Sequence, residues 1–196
     1  MTDGALAGVR VTDGVSRCSW AVSAPDYVAY HDDEWGRPVH GETALYERLT
    51  LEAFQSGLSW LTILRKRPAF RAAFAGFDPE QVARFGEPDR ARLMGDAGIV
   101  RNRLKIDAAI ANAGAVLALR EAGGLDAFVW SHVPDTHTPP RTMADVPATS
   151  PESTALAKGL KQHGFRFVGP ITAYAAMQAC GLVDDHVVGC FRAGRP

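Results

Sequence analysis

The sequence predicts an all-α fold. Three observations carry that prediction. Apolar residues recur at helical spacing from Gly41 onward, several segments open on capping residues or proline, and strand-like alternation is scarce.

The elements follow in chain order. Residues 1–16 are small, polar and glycine-containing without periodicity, and read as a flexible extension ahead of a single domain over 17–196. Leu45, Leu49 and Glu52 lie at steps of four and three and share one helix face, and Gly57 interrupts or ends that helix. The apolar segment from Leu58 to Leu64 runs into Arg65-Lys66-Arg67 and is expected to stop at Pro68, because an interior proline removes a backbone hydrogen bond. Asp78-Pro79-Glu80 is a helix start: Asp78 caps, Pro79 fits the first turn and Glu80 suits the positive end of the dipole. Pro88-Asp89 opens a short helix that ends near Gly95. Asp96-Ala97-Gly98-Ile99 makes a tight turn, and Ile106, Ala109, Ile110 and Ala113 form the apolar stripe of the next helix, which stops at Gly123-Gly124. Five of the twelve prolines fall within 134–151, so this stretch is a long loop that serves as a functional surface or a connection between lobes. Ser150-Pro151-Glu152 starts a helix with Ala155, Leu156 and Leu160 on its apolar side, and Pro170 opens the last one, from Ile171 to about Leu182.

Composition narrows the function classes. A chain of 196 residues can bury a sizeable core in one domain, with room for two lobes. No apolar run approaches the roughly 20 residues of a membrane span. The first residues lack a basic start and a long apolar centre, so no signal peptide is expected and a cytoplasmic location follows. Three cysteines are too few and too odd in number for a disulfide framework, which leaves free thiols or a metal site. A net charge of −1 argues against binding nucleic acid by bulk charge. Two local basic clusters remain, Arg65-Lys66-Arg67 and Arg101-Asn102-Arg103-Leu104-Lys105, and a solvated helix face explains each of them equally well.

Four groups of residues can carry chemistry. Glu52 continues the stripe of Leu45 and Leu49 where an apolar residue is expected. It either reaches water or Arg48 at the helix edge, or lines a pocket as a hydrogen-bond acceptor. Trp20, Tyr27, Tyr30, Trp35 and Trp60 fall close together. Each alone is an ordinary core residue, but several beside a candidate buried acid suit a flat, cationic ring. Cys18, His31, His186 and Cys190 make a Cys2His2 set suited to tetrahedral zinc, with His186 and Cys190 expected on one side of a helical turn. Such a site would be closed and structural, tying the segments 17–40 and 170–192. Finally, the turn around Gly98 with Arg101 and Arg103, between helices near 90–112, offers backbone N–H groups and cations to phosphate oxygens. An ordinary helix connection has the same sequence signature.

These residues together resemble one family. Arg17-Cys18-Ser19-Trp20, Tyr30-His31-Asp32-Asp33-Glu34-Trp35-Gly36 and Leu51 to Trp60 are similar to the opening of 3-methyladenine DNA glycosylase I. Asp96 to Arg103, Gly164 to Gly169 and Met177 to Cys190 resemble its middle and end, in the same order. The resemblance implies a two-lobed helix-hairpin-helix glycosylase fold with a structural zinc joining the terminal segments. It implies a monomer that binds double-stranded DNA, flips out N3-methylated adenine and hydrolyses its glycosidic bond. By motif match it implies that Glu52 reads the base, that Tyr30 and Trp60 sandwich it, and that Trp20 and Trp35 line the pocket. Ser19 stands where the family often has glycine, and Ala53-Phe54 departs from the common helix sequence. No residue is assigned to water activation, and Asp107 reads as a surface residue. The loops near Gly169-Pro170 and Arg65 are candidates for the DNA wedge. A zinc-stabilised DNA-binding module and a zinc hydrolase using His31 and His186 are the rival readings. The first does not need Glu52 among aromatics, and the second needs an open coordination position that four ligands fill.

Overall fold

Nine α-helices and one β-hairpin make up the fold over residues 8–194, the part of the chain that the computed structural model describes. The hairpin comes first. β1 (Val9–Thr12) and β2 (Val15–Cys18) pair antiparallel, with Val9 opposite Cys18 and Thr12 opposite Val15. Asp13 and Gly14 form the two-residue turn with φ of 53° and 75°, the left-handed pair that a tight hairpin requires. The expected flexible extension is therefore ordered from Val9, while residues 1–7 lie outside the described residues. Val9 is held because it packs with Cys18, Val187 and Cys190 in a small second core that joins the two ends of the chain.

α1 (Pro25–Asp33) has no apolar stripe and escapes a reading by periodicity; it is held through its aromatic residues. α2 (Glu42–Gln55) is the centre of the molecule: every residue from Leu45 to Phe54 is buried. It packs against α3 (Trp60–Ala73), α6 (Arg103–Leu119), α7 (Gly124–Trp130) and α9 (Pro170–Ala179). Tyr46 Oη donates to the Ala109 carbonyl at 2.9 Å, and Phe54 meets Phe70 and Phe74 edge-on. Truncating a buried phenylalanine such as Phe54 costs about 3–5 kcal/mol.

α3 passes through Pro68, where the sequence predicted a stop. Its second half is held from outside: Phe70 and Ala73 enter the core, and the Arg67 and Arg71 guanidiniums bind Glu47 of α2. Tertiary contacts thus outweigh the single lost backbone bond. α4 (Pro79–Val82) opens as expected, with Asp78 Oδ1 accepting from the Glu80 amide at 2.9 Å. α5 (Glu87–Gly95) and α6 follow, and Ile106, Ala109, Ile110 and Ala113 are all buried. α8 (Pro151–Gln162) starts at the Ser150 cap. Leu156 and Leu160 face inward as expected, but Ala155 is exposed and Ser153 and Ala157 take the inner face.

The last helix, α9, ends at Ala179, earlier than the expected Leu182, because Gly181 turns the chain with φ of 77°. A side chain there would meet the Arg37 carbonyl carbon at 2.7 Å, so glycine lets segment 36–39 lie against the end of α9. His186 and Cys190 then lie in an irregular turn rather than on a helix, closed by a Cys190 N–H bond to the Val187 carbonyl at 2.8 Å. No helix among the described residues is long and apolar enough to cross a membrane.

Candidate active site and metal centre

Four parts of the chain converge on a cavity of about 370 Å³. Trp20, Tyr27, Tyr30 and Trp35 come from the N-terminal segment, Glu52, Gln55 and Trp60 from α2 and the start of α3, Ala175, Gln178 and Asp185 from α9 and beyond, and Met143 and Val146 from the proline-rich loop. The loop expected to be a functional surface or a connector thus supplies part of the wall. Trp20 packs edge-on against Tyr27 and Trp35 with centroids 5.5 and 5.1 Å apart. Tyr30 and Trp60 stand 5.5 Å apart at 45°. Tyr27 fixes the wall to α3 by accepting the Leu61 amide at 2.9 Å.

Glu52 is 6% exposed. Its carboxylate makes no hydrogen bond or ion pair among the described residues. Arg48, the partner that a helix-edge role would use, is instead paired with Glu34. Burial pushes the Glu52 pKa up to about 8, against an opposing pull from the Arg48 charge. Burial, and after it the Glu52 carboxylate, also push the Tyr30 hydroxyl well above its ordinary value, and both groups line the cavity. A buried carboxylate without donors, in an aromatic cavity, suits a ligand that brings both hydrogen-bond donors and positive charge.

Cys18, His31, His186 and Cys190 are all buried, and their ligand atoms lie within 4.8 Å of one another. Cys190 Sγ is 3.4 Å from His31 Nε2, and His186 Nδ1 is 3.8 Å from both sulfurs. Bonds of about 2.0–2.3 Å to a tetrahedral ion place donors about 3.3–3.8 Å apart, so the set fits a metal. The surroundings fit as well. Asp32 Oδ1 holds His31 Nδ1 at 2.8 Å and leaves Nε2 facing the sulfurs, and Arg17 braces Asp32. Backbone N–H groups of Val187 and Arg192 donate to Cys18 and Cys190 at 3.3 and 3.5 Å, which favours thiolates. Hydrogen bonds from Cys18, and then from His186 and His31, hold the Cys190 thiol well below the usual thiol range. Gly36 makes room for the cluster: a Cβ there would stand 2.9 Å from His186 Nε2.

The basic clusters are largely used within the fold. Arg65 pairs with Asp26, Lys66 donates to the carbonyls of Ala97 and Gly98, and Arg67 binds Glu47 and Glu34. Lys105 caps the end of α2 through the carbonyls of Phe54 and Ser56. Around the α5–α6 turn, the Gly98 amide donates to Asp96 Oδ1 at 2.7 Å, and Arg103 is tied to Glu87 and Asp107. Arg101 alone of the three expected backbone-binding residues is exposed and without a partner among the described residues. Asp107 is a partly exposed ion-pair partner of Arg90 and Arg103. Sequence reasoning missed Gln55, Met143, Val146, Gln178 and Asp185 in the cavity wall. The Asp184-Asp185 doublet beside a proposed ligand was the one visible signal, and it looks like a solvated acidic pair.

The site defines a helical protein with an aromatic-walled cavity and a buried acid, a combination that suits a flat cationic ring. The Methyladenine glycosylase family model matches residues 20–193. DNA-3-methyladenine glycosylase 1 of Escherichia coli (strain K12) is 49% identical over 181 residues, covering 90% of this chain and 96% of the relative. A crystal structure of 3-methyladenine DNA glycosylase I superposes with a TM-score of 0.85 at 47% identity, covering 89% of this chain and 98% of that one. The Staphylococcus aureus 3-methyladenine DNA glycosylase I, solved to explain 3-methyladenine recognition, gives 0.86 at 37% identity over 92% and 97%. The chain belongs to the methyladenine glycosylase family.

Proposed function

We propose that this protein is a DNA-repair glycosylase that flips 3-methyladenine out of alkylated double-stranded DNA and hydrolyses its N-glycosidic bond, leaving an abasic site. The observation that carries the reading is Glu52, a buried carboxylate in an aromatic cavity with no partner of its own among the described residues. Methylation at N3 gives the base in DNA a positive charge, and its departure yields a neutral purine. Little acid catalysis is then needed, and selection of the cationic ring carries the specificity. Glu52 accepts hydrogen bonds from the exocyclic amine and the ring edge, and its charge suits both the bound cation and the developing oxocarbenium sugar. Tyr30 and Trp60 stack on the base. Two stacking spacings of about 3.5 Å require the pair to stand about 7 Å apart, so base entry opens it from the present 5.5 Å. Trp20 and Trp35 close the sides.

The α5–α6 hairpin approaches the phosphate backbone, with Arg101 as its exposed cation and the Gly98 turn and Arg103 beside it. The Cys18, His31, His186 and Cys190 set holds a structural zinc, supported by its all-buried, four-donor geometry. When bound, the zinc supplies cross-linking of the chain ends and no chemistry at the base. A cytoplasmic monomer is the form we expect to act.

The test is incubation of the purified protein with methylated duplex DNA and chromatography of the released bases, with Glu52→Gln in parallel. Free 3-methyladenine from the wild type, and at least about 100-fold less from the variant, supports both reaction and pocket. No release from a folded, DNA-binding protein overturns the reading in favour of a non-catalytic module.

A further inference from the structure

Glu52 is one of two carboxylates in the cavity wall; the other is Asp185. Asp185 is 2% exposed. Two donors from α9 converge on its Oδ2, the Tyr174 hydroxyl at 2.8 Å and the Gln178 amide at 2.7 Å. Its Oδ1 is buried without a hydrogen bond among the described residues. His137 Nε2 lies 3.1 Å from Oδ1 but is also 3.0 Å from the Asp184 carbonyl, which it is oriented to meet. The two acids therefore stand in opposite surroundings. Glu52 has no donor among the described residues, whereas Asp185 is held in place by two.

Asp185 also lines a second cavity, of about 380 Å³, beside the proline-rich loop with His137, Glu152 and Tyr174. The same loop turns Met143 and Val146 to the base cavity and Asp145 to the second one. Asp185 thus belongs to the partition between the space for the base and a polar chamber behind it. A duplex lying across the base cavity covers its mouth, so water needs another approach to the sugar.

We propose that Asp185 stabilises the positive sugar and orients the attacking water, and that the second cavity is the route by which this water arrives. The proposal rests on the glycosylase reading above. In the step, the C1′–N9 bond breaks and its electron pair leaves with the base, cancelling the positive charge there. The sugar becomes oxocarbenium-like, and the Asp185 charge opposes that new positive centre. The water oxygen gives an electron pair to C1′, and its proton leaves to solvent through the second cavity. Glu52 is hydrogen-bonded by the base throughout, so its charge acts on the sugar at a distance and it is not free to orient the water.

The experiment compares Asp185→Asn with wild type in two measurements. One is single-turnover release of 3-methyladenine from methylated duplex DNA. The other is equilibrium binding of free 3-methyladenine, followed by tryptophan fluorescence, with zinc content checked on the same samples. The expected result is a rate reduced about 100-fold or more, with free-base affinity within about threefold of wild type and zinc retained. Glu52→Gln, by contrast, loses both rate and affinity. A rate within about threefold of wild type overturns the proposal, as does a parallel loss of rate and affinity, which would make Asp185 a base-reading group. Tyr174→Phe removes one donor without touching the carboxylate and decides the matter if Asp185→Asn does not fold. Its rate should fall several-fold at constant affinity, and an unchanged rate overturns the proposal. Wild-type release in the same assay tests the glycosylase reading separately.

Discussion

Glu52 occupies a place in α2 where its stripe calls for an apolar side chain, and its cost to the free protein can be measured. Its pKa is raised from 4.5 to about 8 in the fold, so protonated Glu52 favours folding over the ionised form. The stabilisation is complete below the unfolded value of 4.5. It declines as pH rises and is lost once pH passes the folded value of about 8. Stability of the ligand-free protein should therefore fall between these limits by an amount on the order of a few kcal/mol. Glu52→Gln should remove that slope and be more stable than wild type at about pH 8, as denaturant melts at several pH values will report. Function runs in the opposite direction. A cationic base needs the carboxylate ionised, so kcat/KM for excision should climb from about pH 6 toward 8 and level above it. A flat profile across that range would remove Glu52 from base recognition.

At the scale of elements, the helices with an apolar stripe or a cap were legible: α2, α4 and α6 lie where the pattern puts them, and α8 begins at its expected cap with Leu156 and Leu160 inward but Ala155 exposed. α1 was not, because its contacts are aromatic and distant in sequence, and Pro68 misled because Glu47 of α2 binds Arg67 before it and Arg71 after it. The hairpin was legible in principle, since Asp13-Gly14 between valines is a turn signal, but the polar surroundings hid it. A Cβ added at Gly14 would meet no other atom within 4 Å, so Gly14→Ala isolates the conformational cost of φ at 75°. The expected loss is about 1 kcal/mol, read as a lowered thermal midpoint. The turn between α2 and α3 makes a functional prediction. The Gln55 and Leu58 backbones and the Gln55 side chain pin it, and Leu58 stands 39% exposed between cavity-lining Gln55 and Trp60. Arg65, one of the expected wedge positions, is occupied by Asp26. Beside Arg65 and the Gly169-Pro170 loop, we propose Leu58 as the side chain that fills the gap a flipped base leaves. Leu58→Ala should slow excision from duplex DNA about tenfold or more and leave affinity for free 3-methyladenine unchanged; equal losses in both would argue for a packing role.

Across the whole molecule, the metal-ligand set and the base cavity share one framework. Trp20 follows Cys18 by two residues, Tyr30 precedes His31 and Asp185 precedes His186. Trp35 packs on His186 at 4.7 Å, and its carbonyl lies 3.3 Å from His186 Nε2. The sequence offered the four ligands as a Cys2His2 set whose spacing is a modest signal, strengthened by the resemblance, because two pairs at opposite ends of the chain meet through folding alone. Their joint placement means that a metal held there would anchor the aromatic wall as well as the chain ends. Cys190→Ser should reduce zinc from about one per chain to well below that. It should lower the thermal midpoint markedly, since metal binding and folding are coupled at such sites. At a temperature where the variant remains folded by circular dichroism, its affinity for free 3-methyladenine should still be weaker by about tenfold, because Tyr30 and Trp35 lose their anchor. Stability that falls while base affinity stays at the wild-type value would confine the zinc to joining the chain ends and separate it from the cavity.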